Sequence, residues 1–274
     1  MRNCWKKQRR ETFRERCLEE ISMKKLKTPA LFALALVIPA VIGGYFTILY
    51  QIDYMAPELM AEAMAQMGGK NAVVAIYIVQ TLIYALLCGF LGCFMAQALG
   101  LYRPVRFEKK PLIRTLVLSL VFGILFSLDY WTFGAWIPGL REATDNTLNA
   151  VVLLSSVLYG GIIEEVMLRL FFMSLIALLL WKIFFSRHAQ VPTAVLAAAN
   201  ILAAILFAAG HLPATGMLLG TLTPLLLVRC FLLNGGYGLF FGWLYRKYGI
   251  QYSMLAHALL HIVSKLIWAV FARG

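Results

Sequence analysis

Ten residues in the middle of this chain, Gly160-Gly161-Ile162-Ile163-Glu164-Glu165-Val166-Met167-Leu168-Arg169, place two carboxylates and an arginine inside a run otherwise apolar from Val151 to Trp181. Charged groups in such a run cost ~2.5–3.5 kcal/mol each on insertion scales, so they mark a working site more often than chance allows. Glu165 and Arg169 are four apart and share a helix face, so they can pair. Glu164 is turned by about 100° from Glu165 on a helix of 3.6 residues per turn. One carboxylate is therefore neutralised while the other points elsewhere. Two further segments carry ionisable groups in apolar surroundings: Phe207-Ala208-Ala209-Gly210-His211 and His257-Ala258-Leu259-Leu260-His261. Three of the four histidines fall in these segments, and His188 sits in a basic loop. Two imidazoles four apart on one helix can hold one divalent metal or one activated water.

Each motif alone has an ordinary structural reading: a helix–helix hydrogen bond for His211, a buried ion pair for Glu165 and Arg169. Together they argue for a site, because three separate spans would otherwise carry costly groups to no purpose. A carboxylate can take a proton from water while imidazoles or a metal stabilise the developing oxyanion. That is hydrolysis without a covalent intermediate, and a peptide bond is the expected substrate within a membrane. Ser155, Ser156 and Ser174 lie nearby, but none sits in a Gly-x-Ser-x-Gly elbow.

The elements that must position these groups follow from composition. Of 274 residues, 61% are hydrophobic and 14% charged, with mean hydropathy +0.78. The apolar runs are about 20 residues long and lack alternation, which predicts an all-α polytopic transmembrane bundle of seven to eight spans rather than a barrel. The net charge of +12 lies mostly in short segments flanking spans, where Lys and Arg set orientation. No basic groove motif accompanies it, so nucleic acid is not an expected partner; the bilayer is. The five cysteines form no Cys-x-x-Cys pair and imply no disulfide framework.

Three regions are expected: a basic tail over 1–28, accessory spans over 29–147 and a catalytic membrane core over 148–274. The tail holds ten Lys/Arg against four Glu and reads as cytoplasmic, either solvated or lying on an anionic membrane face. Spans are predicted from about Pro29 to Tyr50, Ala72 to Leu101, Leu112 to Ile137, Leu148 to Trp181, Pro192 to His211, Leu218 to Tyr245 and Tyr252 to Phe271. The loop with Arg103, Arg106, Lys109, Lys110 and Arg114 reads as inside, and the acidic loop with Asp53, Glu58 and Glu62 as outside. Gly160-Gly161 is expected to break the fourth span. Straight helices would leave Glu164 and His211 at a different depth from His257; a half-helix at Gly160-Gly161, or an eighth crossing made by a split at Asn234-Gly235-Gly236, would repair this.

The order Glu-Glu-x-x-x-Arg (Glu164, Glu165, Arg169), Phe-x-x-x-His (Phe207, His211) and His-x-x-x-Asn/Asp in a late helix resembles the CAAX-protease and bacteriocin-processing (CPBP, or Abi) intramembrane protease family, to which the eukaryotic Ras-converting prenyl-protein endopeptidase belongs. The stretch Gly238-Leu239-Phe240-Phe241-Gly242-Trp243-Leu244-Tyr245 is also similar to it, and the resemblance runs from about Val151 to Ser264. It implies Glu164 as general base, Glu165 oriented by Arg169, His211 as a second catalytic group and His257 as binder of the oxyanion or a metal. His261 departs from the family's Asn or Asp; an imidazole still donates a hydrogen bond or ligates a metal, but is bulkier and titratable. Glu164, His211, His257 and His261 would be the ligands if zinc is bound. The expected substrate is a membrane-associated or small peptide, which the resemblance does not narrow further, and the compact, basic-tailed chain reads as a bacterial plasma-membrane protein. Two other readings remain beside it: an inactive immunity or partner-binding protein on the same scaffold, and a proton-coupled carrier, for which the repeated halves are missing.

Overall fold

The computed structural model describes residues 26–54, 57–146 and 148–272; most of the basic tail lies outside them. Among the described residues there are helices and no strands. Seven helices are long and apolar enough to cross a bilayer: α1 (Leu26–Tyr54), α3 (Lys70–Ala98), α4 (Lys109–Ala135), α6 (Ala150–Phe184), α7 (Thr193–Leu219), α8 (Pro224–Tyr248) and α9 (Ile250–Phe271). Two short helices, α2 (Pro57–Met67) and α5 (Leu140–Asn146), sit between them. In lipid every backbone N–H must be satisfied within the protein, and a helix does this segment by segment.

The packing is inverted relative to a water-soluble bundle. The buried positions of the first part of α4 are Thr115, Ser119, Gly123 and Ser127, four apart, whereas Val117, Leu120, Val121 and Ile124 face outward. Large apolar groups elsewhere are equally exposed, Ile38 at 70% and Leu34 at 62% among them. Lipid offers apolar side chains as good an environment as the protein interior does, so helices associate through small residues and short polar contacts instead. Thr47 Oγ1 lies 2.9 Å from Ser155 Oγ between α1 and α6, Asn200 Nδ2 donates to Leu239 O at 3.0 Å between α7 and α8, and Trp268 Nε1 donates to Ser127 O at 2.8 Å between α9 and α4. This is an integral membrane protein.

α6 carries the two glutamates. Asn149 starts it, its side chain accepting from Val152 N at 3.0 Å. The expected break at Gly160-Gly161 is absent: the helix runs on, wound as a π-helix over Ser156–Glu164 and again over Val166–Met173. Likewise Phe231–Gly235 is π-wound within α8, so Asn234-Gly235-Gly236 does not split it, and an eighth crossing is not formed among the described residues. The i→i+5 winding keeps backbone groups bonded where a break would strand them in lipid, and π segments are frequent at functional sites.

Glu165 and His257 are brought together without a broken helix. Leu99, Leu101, Ala177, Val195, Tyr245 and Ile250 belong to one buried cluster near the ends of five spans. Glu165 lies twelve residues from Ala177 and His257 seven from Ile250, yet the two side chains meet. Two glycines make the arrangement possible. Gly249 joins α8 directly to α9 at φ +113°, a conformation that side-chain-bearing residues rarely adopt. At Gly161 a Cβ would sit 2.9 Å from Ala258 Cβ and 3.1 Å from its Cα, so only glycine lets α6 approach α9 this closely.

Gly161→Val should therefore destabilise the bundle by about 1–3 kcal/mol, the usual cost of overpacking. Gly236→Ala, where nothing lies within 4 Å of the added methyl, should leave stability almost unchanged. Thermal unfolding of the two variants in the same detergent checks the contrast; equal melting temperatures would refute the close-approach reading.

Candidate active site

Glu165 is fully buried and saturated with donors. Its Oε1 accepts from Arg169 Nη1 and from His257 Nδ1, each at 2.8 Å, and Oε2 accepts from Ser253 Oγ. The Glu165–Arg169 pair predicted from spacing four is thus formed, and α9 contributes two more donors. Arg169 is closed in by aromatic faces: its Cζ lies 4.2 Å from the ring centre of Phe207 on α7 and 5.3 Å from that of Phe241 on α8. Gly238 makes room for it, since a Cβ there would stand 3.0 Å from Nη2. One ion pair consequently gathers α6, α7, α8 and α9.

His257 is held from three sides. It stacks on Phe241 at 4.5 Å and 17° and meets Phe207 edge-on at 5.8 Å. The hydrogen-bond network assigns its protons. An ionised carboxylate only accepts, so Nδ1 carries the hydrogen given to Glu165. His257 Nε2 lies 3.2 Å from His261 Nε2, within reach of a hydrogen bond between the two rings. His257 therefore faces Glu165 and His261.

His211 stands at the junction after Thr193–Gly210, just before Pro213. Its Nδ1 lies 2.8 Å from Phe207 O. A carbonyl only accepts, so Nδ1 is the donor in this bond, and Nε2 is left outside it. This explains the Phe-x-x-x-His spacing: the Phe207 ring covers Arg169 while its carbonyl, one turn earlier, sets the tautomer of His211.

Glu164 points away from this hub into a cavity of about 440 Å³ that it shares with Tyr159, Gly160, His211 and His261. Its carboxylate has no ion pair or hydrogen bond among the described residues, and it does not bond directly to His211. The volume holds several waters, each occupying ~30 Å³ in the liquid. Of the six residues singled out from sequence, Glu164, His211 and His261 line the cavity, while Glu165, Arg169 and His257 stand behind it. As a zinc set, Glu164, His211, His257 and His261 do not fit in this arrangement: no group of three His, Cys, Asp or Glu able to hold a metal exists among the described residues, and His257 has both nitrogens engaged.

Sequence reasoning missed four residues. Asp129 and Arg229 form a fork-shaped ion pair on the cavity wall, Nε to Oδ1 at 2.8 Å and Nη2 to Oδ2 at 2.5 Å. Lys265 also lines the cavity. All three are charges inside apolar runs, so the cost argument that exposed Glu164 would have found them too. Ser253, which donates to Glu165, left no such signal, because serine is common in spans.

Residues 146–263 match the family model of the type II CAAX prenyl endopeptidase Rce1-like proteins, and this match supports the CPBP/CAAX-protease assignment drawn from the motifs. Neither the curated proteins nor the solved structures give a significant match to this sequence.

Arg169→Met should cost about 3–5 kcal/mol, because it strands the Glu165 carboxylate in a dry interior. The double variant Glu165→Gln with Arg169→Met should recover a good part of that loss. Unfolding midpoints of the single and double variants in detergent measure both effects; a double variant no more stable than the single one would show that the pair is not the coupled unit.

Proposed function

We propose that this protein is an intramembrane endopeptidase that hydrolyses a peptide bond of a membrane-associated or small peptide, with Glu164 activating the water. The observation that carries this reading is the pairing, in one cavity, of a carboxylate that forms no ion pair among the described residues with an imidazole whose Nε2 is not used in holding the ring. The match over 146–263 supports a peptidase activity at the same place.

A water between Glu164 and His211 Nε2 gives its proton to the Glu164 carboxylate as its oxygen attacks the carbonyl carbon of the bound peptide. The oxyanion that forms needs a donor, and His261 is the nearest suited group on the cavity wall. Its Nε2–H is shared with His257 at 3.2 Å, the longest bond of the network, and turns to the developing charge. Glu164 then returns the proton to the leaving nitrogen as the C–N bond breaks. Glu165 and Arg169 touch no reacting atom in this scheme; they hold His257, which holds His261. No step runs through a metal. Were zinc to bind, Glu164, His211 and His261 are the cavity-facing groups that would have to converge on it, and it would polarise the carbonyl and acidify the water.

The second reading, a non-hydrolytic immunity or partner-binding protein, is favoured by one observation: His261 occupies the position of the family's Asn or Asp, and its Nε2 is already engaged with His257. For orientation we propose that the basic segments Arg103–Arg114 and Lys182–His188, and Arg246-Lys247, face the cytoplasm of a bacterial plasma membrane, which puts the N-terminus there too.

Proteolysis by full-length protein in liposomes, with a library of membrane-anchored peptides, tests the assignment. Glu164→Gln should slow cleavage by about 10²–10⁴-fold, the usual contribution of a general base. Cleavage that survives this change refutes the mechanism. Loss of cleavage on zinc chelation would move the chemistry to a metal, and absence of cleavage by well-folded native protein would favour the binding reading, with His261→Asn as the variant expected to restore hydrolysis.

A further inference from the structure

One charge on the cavity wall has no part in the reaction proposed above. Lys265 follows His257 and His261 at spacing four on α9, so the three side chains descend one face of the helix. A lysine at this position in a span is costly unless something balances it. Among the described residues nothing does. The acidic residues on the cavity wall are Asp129, which is taken by both arms of the Arg229 fork, and Glu164, which forms no ion pair among the described residues. The Lys265 ammonium instead lies 6.0 Å from the ring centre of Trp268, a weak contact at the outer limit of a cation–π interaction. The next residue, Leu266, is exposed at 60%, while Lys265 is half-buried and lines the cavity.

We propose that Lys265 anchors a carboxylate of the peptide bound in the cavity and so selects its substrate. The inference rests on the peptidase reading for the peptide's presence, not for the recognition itself. A peptide lying against Glu164 and His261 and continuing along α9 passes Lys265 within about one helical turn, ~6 Å of rise. An ammonium there offers three donors in a low-dielectric wall, where a charge-assisted bond to a carboxylate is strong. Arg229 does not compete, because its charge is spent on Asp129. The carboxylate is either the C-terminus of the peptide or one of its Asp or Glu side groups, and both present the same chemistry to Nζ.

Binding rather than cleavage tests this. Full-length Glu164→Gln protein, which would not consume its ligand, is placed in nanodiscs of zwitterionic lipid. Three pools of N-palmitoylated decapeptides free of internal acidic residues are compared: one with free C-terminal carboxylates, one amidated, and one amidated with Asp at the last position. The carboxylate-bearing pool should bind at least about tenfold more tightly than the plain amide, a ratio that falls to about one in Lys265→Met and returns in Lys265→Arg. Preference for the free acid alone identifies a C-terminus; equal preference for the Asp pool identifies any carboxylate. Equal retention of acid and amide pools at any level, or a ratio unchanged by Lys265→Met, overturns the proposal. Discrimination without cleavage by native protein would instead sink the peptidase reading and leave the anchor standing.

Discussion

A carboxylate cut off from water must find its counter-charge and its donors within the protein, and Glu165 finds them on two helices. The penalty for failing to do so is what makes this contact organise its neighbours. Arg169 supplies the charge from the same helix, Ser253 and His257 supply hydrogens from α9, and Phe207 and Phe241 enclose the guanidinium from α7 and α8. Each contact is directional, so satisfying all of them leaves little freedom in how four helices cross. A buried pair of this kind adds little net stability compared with an apolar core, because desolvation opposes the attraction. Its effect is to specify one arrangement.

That arrangement separates two adjacent glutamates into unlike environments. Glu165 is spent on structure, while Glu164, about 100° further round, meets open cavity. The imidazoles divide in the same manner. His257 is locked between Glu165 and His261, whereas His211, hydrogen-bonded through Nδ1, lines the cavity with Nε2 outside that bond. Base chemistry needs such asymmetry, since a carboxylate already neutralised by arginine is a poor proton acceptor. The cavity wall shows the same rule once more: Arg229 is matched by Asp129, and Lys265 is left over.

The sequence alone determined everything that depends on local spacing or on solvent. Apolar runs of bilayer length imply helices, charges within them imply a site, and residues four apart imply the Glu165–Arg169 pair, because a helix places i and i+4 together whatever surrounds it. The helical spans and the candidacy of Glu164, His211 and His261 were legible on those grounds. What crosses between helices was not. Sequence reasoning expected a break at Gly160-Gly161, whereas the glycines are used for close approach to α9, and the backbone stays bonded through π turns. It treated His257 as a ligand facing the substrate, whereas the carboxylate on α6 draws that imidazole away. Ser253 and the Asp129–Arg229 fork lie 88 and 100 residues from their partners, and no local rule joins positions so far apart. Only the tertiary structure could decide these, because the distance between two helices is set by the small residues packed between them, and the sequence states which residues are small but not which of them meet.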